Sequence, residues 1–379
     1  MAYRWFLRLH LTDKVFDAST LSQNRRRRYR DVRIAQDIFD GIVEHAMSHG
    51  LVDGAVLYTD STHLKANANK NKWDKEVVAK SRSTYWEGLD LAIEEDRALH
   101  GKKPLKAKER HPAEKETKIS RTDLDAGYMR DGKPKGFFYL DHRTVDGKLG
   151  IITDSYATPI NIHDSIPYLD RLDRQRNRFD LDVRAVGLDA GYATAGIAQG
   201  LEERDILGVT GYRRPTHRQG FIPKRKYHYD PTLDAYRCPE GQILNYATTD
   251  RNGYRHYKNA PAKCARCPLL ASCTSNAKHQ KTVTRHVWQD ARERAHSYRL
   301  TDWGKKLYKR RKETVERSFA DAKQLHGHRY ARFRGLTAHC RQNTVPLRSH
   351  RPKHEENGTR NGQHAKNKHP VDQTNTPSR

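Results

Sequence analysis

The chain has 379 residues, only 35% of them hydrophobic, and 72 Lys and Arg against 46 Asp and Glu give a formal net charge of +26. That charge attracts polyanions at long range and makes nucleic acid the default partner, while so little apolar sequence cannot fill the whole length with core, so some segments are exposed, inserted or disordered. No run of about 18 apolar residues is present, and MAYRWFLRLHLTDK is too short and too broken by charge for a secretion signal. A membrane span and export are therefore excluded, and the expected location is the cytoplasm, on the nucleoid.

In chain order, residues 1–50 read as a helical N-terminal region. Ile34, Ile38, Phe39, Ile42, Val43, Ala46 and Met47 recur at helical spacing and Gly50 supplies a stop. Ahead of them run Arg25, Arg26, Arg27 and Arg28, readable as a solvated basic face or as phosphate contacts. Residues 54–60, GAVLYTD, predict a short buried strand closed by Asp60. Residues 70–135 predict a charged helical insertion, with a helix around Trp86, Leu89 and Ile93 and a Lys-rich linker from Gly101 to Lys118. Strands are expected at Phe137–Leu140 and Leu149–Ile152, joined by a turn at Asp146-Gly147, and then a helix through Ile166, Leu169 and Leu172.

A second apolar strand, VRAVGLD at 183–189, ends in Asp189. A short helix from Thr194 to Arg204 and a strand from Ile206 to Thr210 follow. Residues 212–300 form a Cys-rich insertion, and a long helix is expected from Trp303 to Leu325. From 337 to 379 the sequence is polar and basic and reads as a disordered tail. Residues 51–211 and 301–336 thus read as one interrupted α/β domain.

Two candidate sites emerge. Asp60 and Asp189 each stand where an apolar strand meets a turn, and strand C-terminal ends open onto a common crevice. Either Asp alone could simply end a strand or cap the next helix. Glu316, on YKRRKETVERSFADAK, supplies a third carboxylate, with Tyr308, Arg311 and Lys323 near it; Glu313 is a rival acid. Hard divalent ions take oxygen ligands, and a pair of such ions activates the attacking oxygen and stabilises the leaving oxygen of a phosphodiester. The second site is Cys238, Cys264, Cys267 and Cys273, whose thiolates suit Zn²⁺ in a segment short of aliphatics; His256 and His279 are spare ligands. Tyr227, Tyr229, Tyr254 and Tyr257 lie in the same segment and suit either base stacking or the core of a small β unit. His163-Asp164 reads as a helix cap rather than as a helper at a metal site.

The runs TDSTHLKANANK and GLDAGYAT, the Y-x2-R-x4-E-x6-K arrangement of Tyr308, Arg311, Glu316 and Lys323, and FYLDHRTVDGKLGIITDSYATPINIHDS resemble bacterial insertion-sequence transposases with a DDE triad, in the IS-four-like/IS-five-like branch that carries a Cys-rich insert. The similarity runs from about residue 4 to residue 336. It implies a ribonuclease H-like mixed sheet with a zinc-ribbon-like insertion, and Asp60, Asp189 and Glu316 as a triad holding two Mg²⁺ or Mn²⁺ ions. It further implies cleavage at element ends, strand transfer into target DNA, and a homo-oligomer assembled on the terminal inverted repeats. The matching segment begins at residue 3, where such proteins carry further end-binding helices, and after RFRGL the sequence turns polar, so the chain is expected to be truncated at both ends. An inactive DNA-binding remnant and a nuclease without strand transfer stay open as alternatives.

Overall fold

The structure, a computed structural model, describes residues 8–15, 17–27, 32–79, 83–106, 114–129, 135–216 and 218–336. Arg28 and the polar tail beyond residue 336 lie outside the described residues. The N-terminal helical expectation is met by α1 (Ala18–Arg27) and α2 (Val32–Ser48), the latter burying Phe39 and Val43.

A mixed six-stranded sheet organises the larger part of the chain. Its middle strand β1 (Val56–Lys65) pairs antiparallel with β5 (Gly136–Asp146), which pairs antiparallel with β6 (Ile152–Pro159) and with the short β4 (Gly127–Met129). On its other side β1 runs parallel to β7 (Ala185–Leu188), and β7 runs parallel to β8 (Leu207–Thr210). Helices α4 (Tyr168–Phe179) and α5 (Ala195–Glu202) follow β6 and β7, as the sequence predicts, and Thr194 caps α5. Four antiparallel strands, the short β4 among them, and two parallel ones, with helices packed on them, form an arrangement compatible with a ribonuclease H-like domain.

Two close approaches hold the layers together. A Cβ on Gly187 would stand 2.7 Å from the Tyr58 ring, and one on Gly211 would stand 2.7 Å from both the Ala190 amide and the Tyr308 hydroxyl. Each glycine thus lets a neighbour from another element sit directly on the strand backbone.

Several expected boundaries move. β1 continues through Lys65, so Asp60 lies inside the strand rather than at its end. β5 runs on from Phe137–Leu140 through DHRTVD, all of it buried. A buried strand carries those charges because they are paired: Arg143 Nη2 lies 2.8 Å from Asp141, and His328 Nε2 lies 2.8 Å from the same carboxylate. The expected strand at Leu149–Ile152 begins at Ile152. The segment expected to be helical and linker-like holds α3 (Ser83–Leu99), but also an antiparallel pair, β2 (Trp73–Ala79) with β3 (Glu114–Ser120).

Between β8 and the last helices lies a separate five-stranded antiparallel meander: β9 (His228–Asp230), β10 (Ala235–Arg237), β11 (Ile243–Thr249), β12 (Tyr254–Lys258) and β13 (Thr282–His286). Tyr227, Tyr236, Leu244, Tyr257 and Val283 form its core. The hydroxyls of Tyr229 and Tyr257 both donate to Asp234, at 2.7 and 2.6 Å. Those tyrosines therefore hold a small β unit together, and of the four named from sequence Tyr254 is the exposed one. Helix α3 docks on this sheet: His100 stacks on Tyr246 at 3.7 Å, and Arg255 donates to Asp96 at 2.6 Å.

Two short helices, α6 (Pro261–Cys264) and α7 (Leu270–Cys273), lie between β12 and β13. Helix α8 (Gln289–Leu300), expected within the insertion, instead packs on β8 and α5 of the main sheet. The single long helix expected after it is two, α9 (Asp302–Arg310) and α10 (Val315–Leu325), broken across residues 311–314.

Candidate active site

Parallel strands β1 and β7 stay in register up to Thr59 beside Leu188. The next residue on each is an aspartate. Side chains alternate along a strand, so Asp60 and Asp189 leave neighbouring strands on the same face, the face that carries Tyr58. β7 ends there: Asp189 turns into a single 3₁₀ turn (Ala190–Tyr192) and its carboxylate accepts from the Ala190 amide. The capping reading of Asp189 is therefore correct, and it leaves the carboxylate beside Asp60.

Helix α10 crosses β1 and β5 on this face, burying Val315, Phe319 and Ala322 and placing Glu316 in its first turn. The break before α10 lets Arg311 turn inward. Its guanidinium is 5% exposed, donates to Asp60 Oδ2 at 2.8 Å, and lies 3.6 Å from Glu316 Oε1. It also donates to the Tyr308 hydroxyl at 3.3 Å. Lys323, two turns beyond Glu316, donates to Thr62 Oγ1 at 2.5 Å, two residues along β1 from Asp60. Glu313 lies exposed in the turn between the helices.

Five of the residues named from sequence, Asp60, Glu316, Tyr308, Arg311 and Lys323, thus gather on one stretch of the sheet face. Asp189 joins them through the β1–β7 register. Arg25, Arg26 and Arg27 are instead on α1, where Arg27 is exposed.

The electrostatics follow from this crowding. The Asp60 carboxyl is pushed up from 3.8 to about 6, first by burial; Arg311 and the Ser61 amide oppose the rise, and the charges of Asp189 and Glu316 add to it. Lys323 is pulled below its ordinary value, first by burial and then by Arg329 and Arg143. Among the described residues, no three His, Cys, Asp or Glu side chains stand ready to enclose an ion. At the carboxylates the reason is visible, since a cationic guanidinium bridges two of them.

The native chain holds the Asp60 proton more tightly than the unfolded chain does. This contribution to stability is full below about pH 4 and is lost as pH rises through about 6. The loss is on the order of 3 kcal/mol. Metal-free Asp60→Asn is therefore expected to be more stable than wild type above about pH 7 and equal to it near pH 4. Urea unfolding in chelator at both pH values checks this, and a variant less stable at neutral pH would contradict the burial argument.

Sequence reasoning undervalued Asp164. It does not cap α4, whose N-cap is Pro167 without a side-chain bond. Its carboxylate instead accepts from Ser61 Oγ at 2.9 Å. The signal available was the acid of HD in the turn that follows a strand. Of the other acids near strands, Asp154 is buried between Arg171 and Arg174, and Asp125 accepts from the Leu336 amide.

In the meander, Cys238, Cys264, Cys267 and Cys273 all line one small cavity of about 20 Å³, together with Tyr227, Asn259 and Lys281. Tyr227 Oη lies 3.1 Å from Cys273 Sγ, and the Gln242 amide donates to Cys238 Sγ at 3.3 Å. Burial first, then the other three thiols, raise the Cys264 thiol above its ordinary value. His256 is engaged with Asp250 at 2.8 Å, and neither it nor His279 lines the cavity.

Residues 237–345 match a family model described as a transposase DDE domain. The match spans less than a third of the chain. It includes the four cysteines, Tyr308, Arg311, Glu316 and Lys323, and stops short of Asp60 and Asp189. No curated protein matches the chain. The match supports transposase activity of a general kind, with DNA as substrate. Among the described residues, no helix is long and apolar enough to cross a membrane.

Proposed function

We propose that the chain is a DDE transposase of the ribonuclease H-like kind, cutting DNA at element ends and joining those ends to target DNA. The observation that supports this reading is Arg311 bridging Asp60 and Glu316 on one sheet face, with Asp189 next to Asp60 at the end of the neighbouring strand. Burial and like charge raise Asp60, and Arg311 partly offsets them. An oxygen donor set of this kind fits a hard dication, and Asp60, Asp189 and Glu316 would hold it. Magnesium, when bound there, supplies activation of the attacking oxygen and stabilisation of the leaving one.

The chain's own residues do the rest. Arg311 leaves its bridge between the acids for a phosphate oxygen, to which its planar fork is suited. Lys323, from the last turn on the same face of α10, contacts the next stretch of backbone. Tyr308 positions Arg311 through their shared hydrogen bond. The sheet holds Asp60 and Asp189 to a common register, so the acids need little reorganisation.

The test is incubation of the full chain with linear DNA carrying the repeats that flank its own coding sequence, with Mg²⁺ or with chelator. Metal-dependent cleavage with joined products is expected. Cleavage without joining would favour a nuclease, and binding without cleavage a remnant. With a formal charge of +26, DNA affinity is expected to fall about 10³-fold or more between about 50 and about 200 mM salt, if the chain makes about six or more phosphate contacts. Binding that ignores salt over that range removes nucleic acid as the partner.

In the meander, Cys238, Cys264, Cys267 and Cys273 are proposed to hold a structural Zn²⁺. Four soft donors around one small cavity suit it. Metal analysis of the purified chain is expected to find a single zinc per chain. Cys267→Ser should lose that zinc and the protease resistance of residues 228–286. Full resistance in a zinc-free chain would remove the metal from the account.

A further inference from the structure

The structure assigns Asp164 and Ser61 a joint positioning role: together they latch the middle of β1 so that the Asp60 carboxylate faces the crevice. This rests on the reading of Asp60 as a metal-holding acid.

The argument begins where β7 stops. Among the described residues, β1 has no strand beside it on that side from Asp60 until Lys65, which pairs with Tyr330, yet Asp60 and Ser61 continue in extended register with β5. One peptide unit therefore carries an active carboxylate on an edge that has lost half its ladder. Two hydrogen bonds replace the missing support. The Ser61 amide donates to Asp60 Oδ1 at 2.8 Å, fixing the plane of that carboxylate. The Ser61 hydroxyl, which alternation places on the opposite face of the strand, donates to Asp164 Oδ2 at 2.9 Å.

Asp164 is anchored on a different part of the chain, the turn between β6 and α4. A Cβ on Gly191, just beyond Asp189, would stand 3.7 Å from its Oδ2. It therefore ties the turn after β6 to the middle of β1, close to the turn that follows Asp189. Among the described residues its ion-pair partner is His163 at 3.8 Å, with no Lys or Arg in pairing range. The carboxylate is not consumed by a structural salt bridge as Asp154 is. It lies behind the strand from Asp60, where a hydrogen bond to Ser61 reaches the crevice and a direct ligand role does not arise.

Groups that orient a metal's ligands commonly change affinity about 10- to 100-fold when removed. The experiment is Mn²⁺ binding to the full chain by electron paramagnetic resonance, counting only the ions lost in Asp189→Asn. Ser61→Ala and Asp164→Ala are each expected to weaken that binding about tenfold. The double variant should be no weaker than the worse single one, as members of one chain of contacts are non-additive. Asp164→Asn keeps an acceptor for Ser61 and should restore wild-type affinity. Thermal midpoints of all four variants report whether the fold is held.

Wild-type Mn²⁺ affinity in Asp164→Ala, or additive losses in the double variant, would overturn the latch. So would an Asp164→Asn as weak as Asp164→Ala, which would give the role to charge rather than to the hydrogen bond. A wild-type chain with no Asp189-dependent Mn²⁺ uptake would instead sink the proposed site, and the latch with it.

Discussion

Asp189→Asn is expected to lower metal-dependent DNA cleavage on the order of 10³-fold, about 4 kcal/mol of transition-state stabilisation, while DNA binding and the thermal midpoint stay unchanged. The amide is nearly isosteric, and its oxygen can still accept from the Ala190 amide that Asp189 caps. The fold around the turn is therefore preserved and the loss falls on the chemistry. Removing the negative charge beside Asp60 also takes away one of the two repulsions that raise its proton affinity. Asp60→Asn and Glu316→Gln should each show losses of similar size, and the triple variant should be little worse than any single one, because groups that act as a unit are strongly non-additive. Single-turnover cleavage of end-containing DNA measures this. An Asp189→Asn chain that cuts like wild type would remove the catalytic role of the acid at the end of β7.

Asp141→Ala is expected to destabilise the chain by about 3–5 kcal/mol, among the largest effects of any single change. Asp141, Arg143 and His328 are all essentially inaccessible to solvent. The Arg143 guanidinium donates to Asp141 at 2.9 Å, reaches the Ser318 carbonyl at 3.1 Å, and lies 4.7 Å from the Phe319 ring. Removing the carboxylate strands a buried cation under α10, which cannot be hydrated without opening the sheet–helix contact. The same helix positions Glu316 and Lys323, so activity should fall with stability at temperatures where the variant remains folded. Asp141→Asn keeps an acceptor and should cost less than the alanine. Equilibrium urea unfolding measures both, and a loss below about 1 kcal/mol for the alanine would show that water enters the site and solvates Arg143.

The pieces of the candidate site that were readable from the sequence are local. Apolar runs GAVLYTD and VRAVGLD mark strands because burial on both faces requires continuous hydrophobicity. The acids following those runs stand out, and the cysteines stand out by spacing. What escaped reading depended on partners far along the chain. DHRTVD looks like a polar loop until His328, 187 residues beyond Asp141, and the backbone of α10 satisfy it. The charged strands Trp73–Ala79 and Glu114–Ser120 have weak alternation and find each other across α3. KRRKET reads as uninterrupted helix because its residues favour helix. The chain breaks there, and from that break Arg311 reaches Asp60, 251 residues earlier.

Residue order was enough to establish the basic character, the apolar strands with the helices that follow them, and the three acids worth suspecting, since each depends on composition or on neighbours a few positions away. That Asp60 and Asp189 share a face, that an arginine bridges Asp60 to Glu316, and that Asp164 reaches the back of the same strand were settled by packing. Strand register, a helix break and buried ion pairs each balance the solvation of one group against a partner hundreds of residues distant, and no short window of sequence contains both sides of that balance.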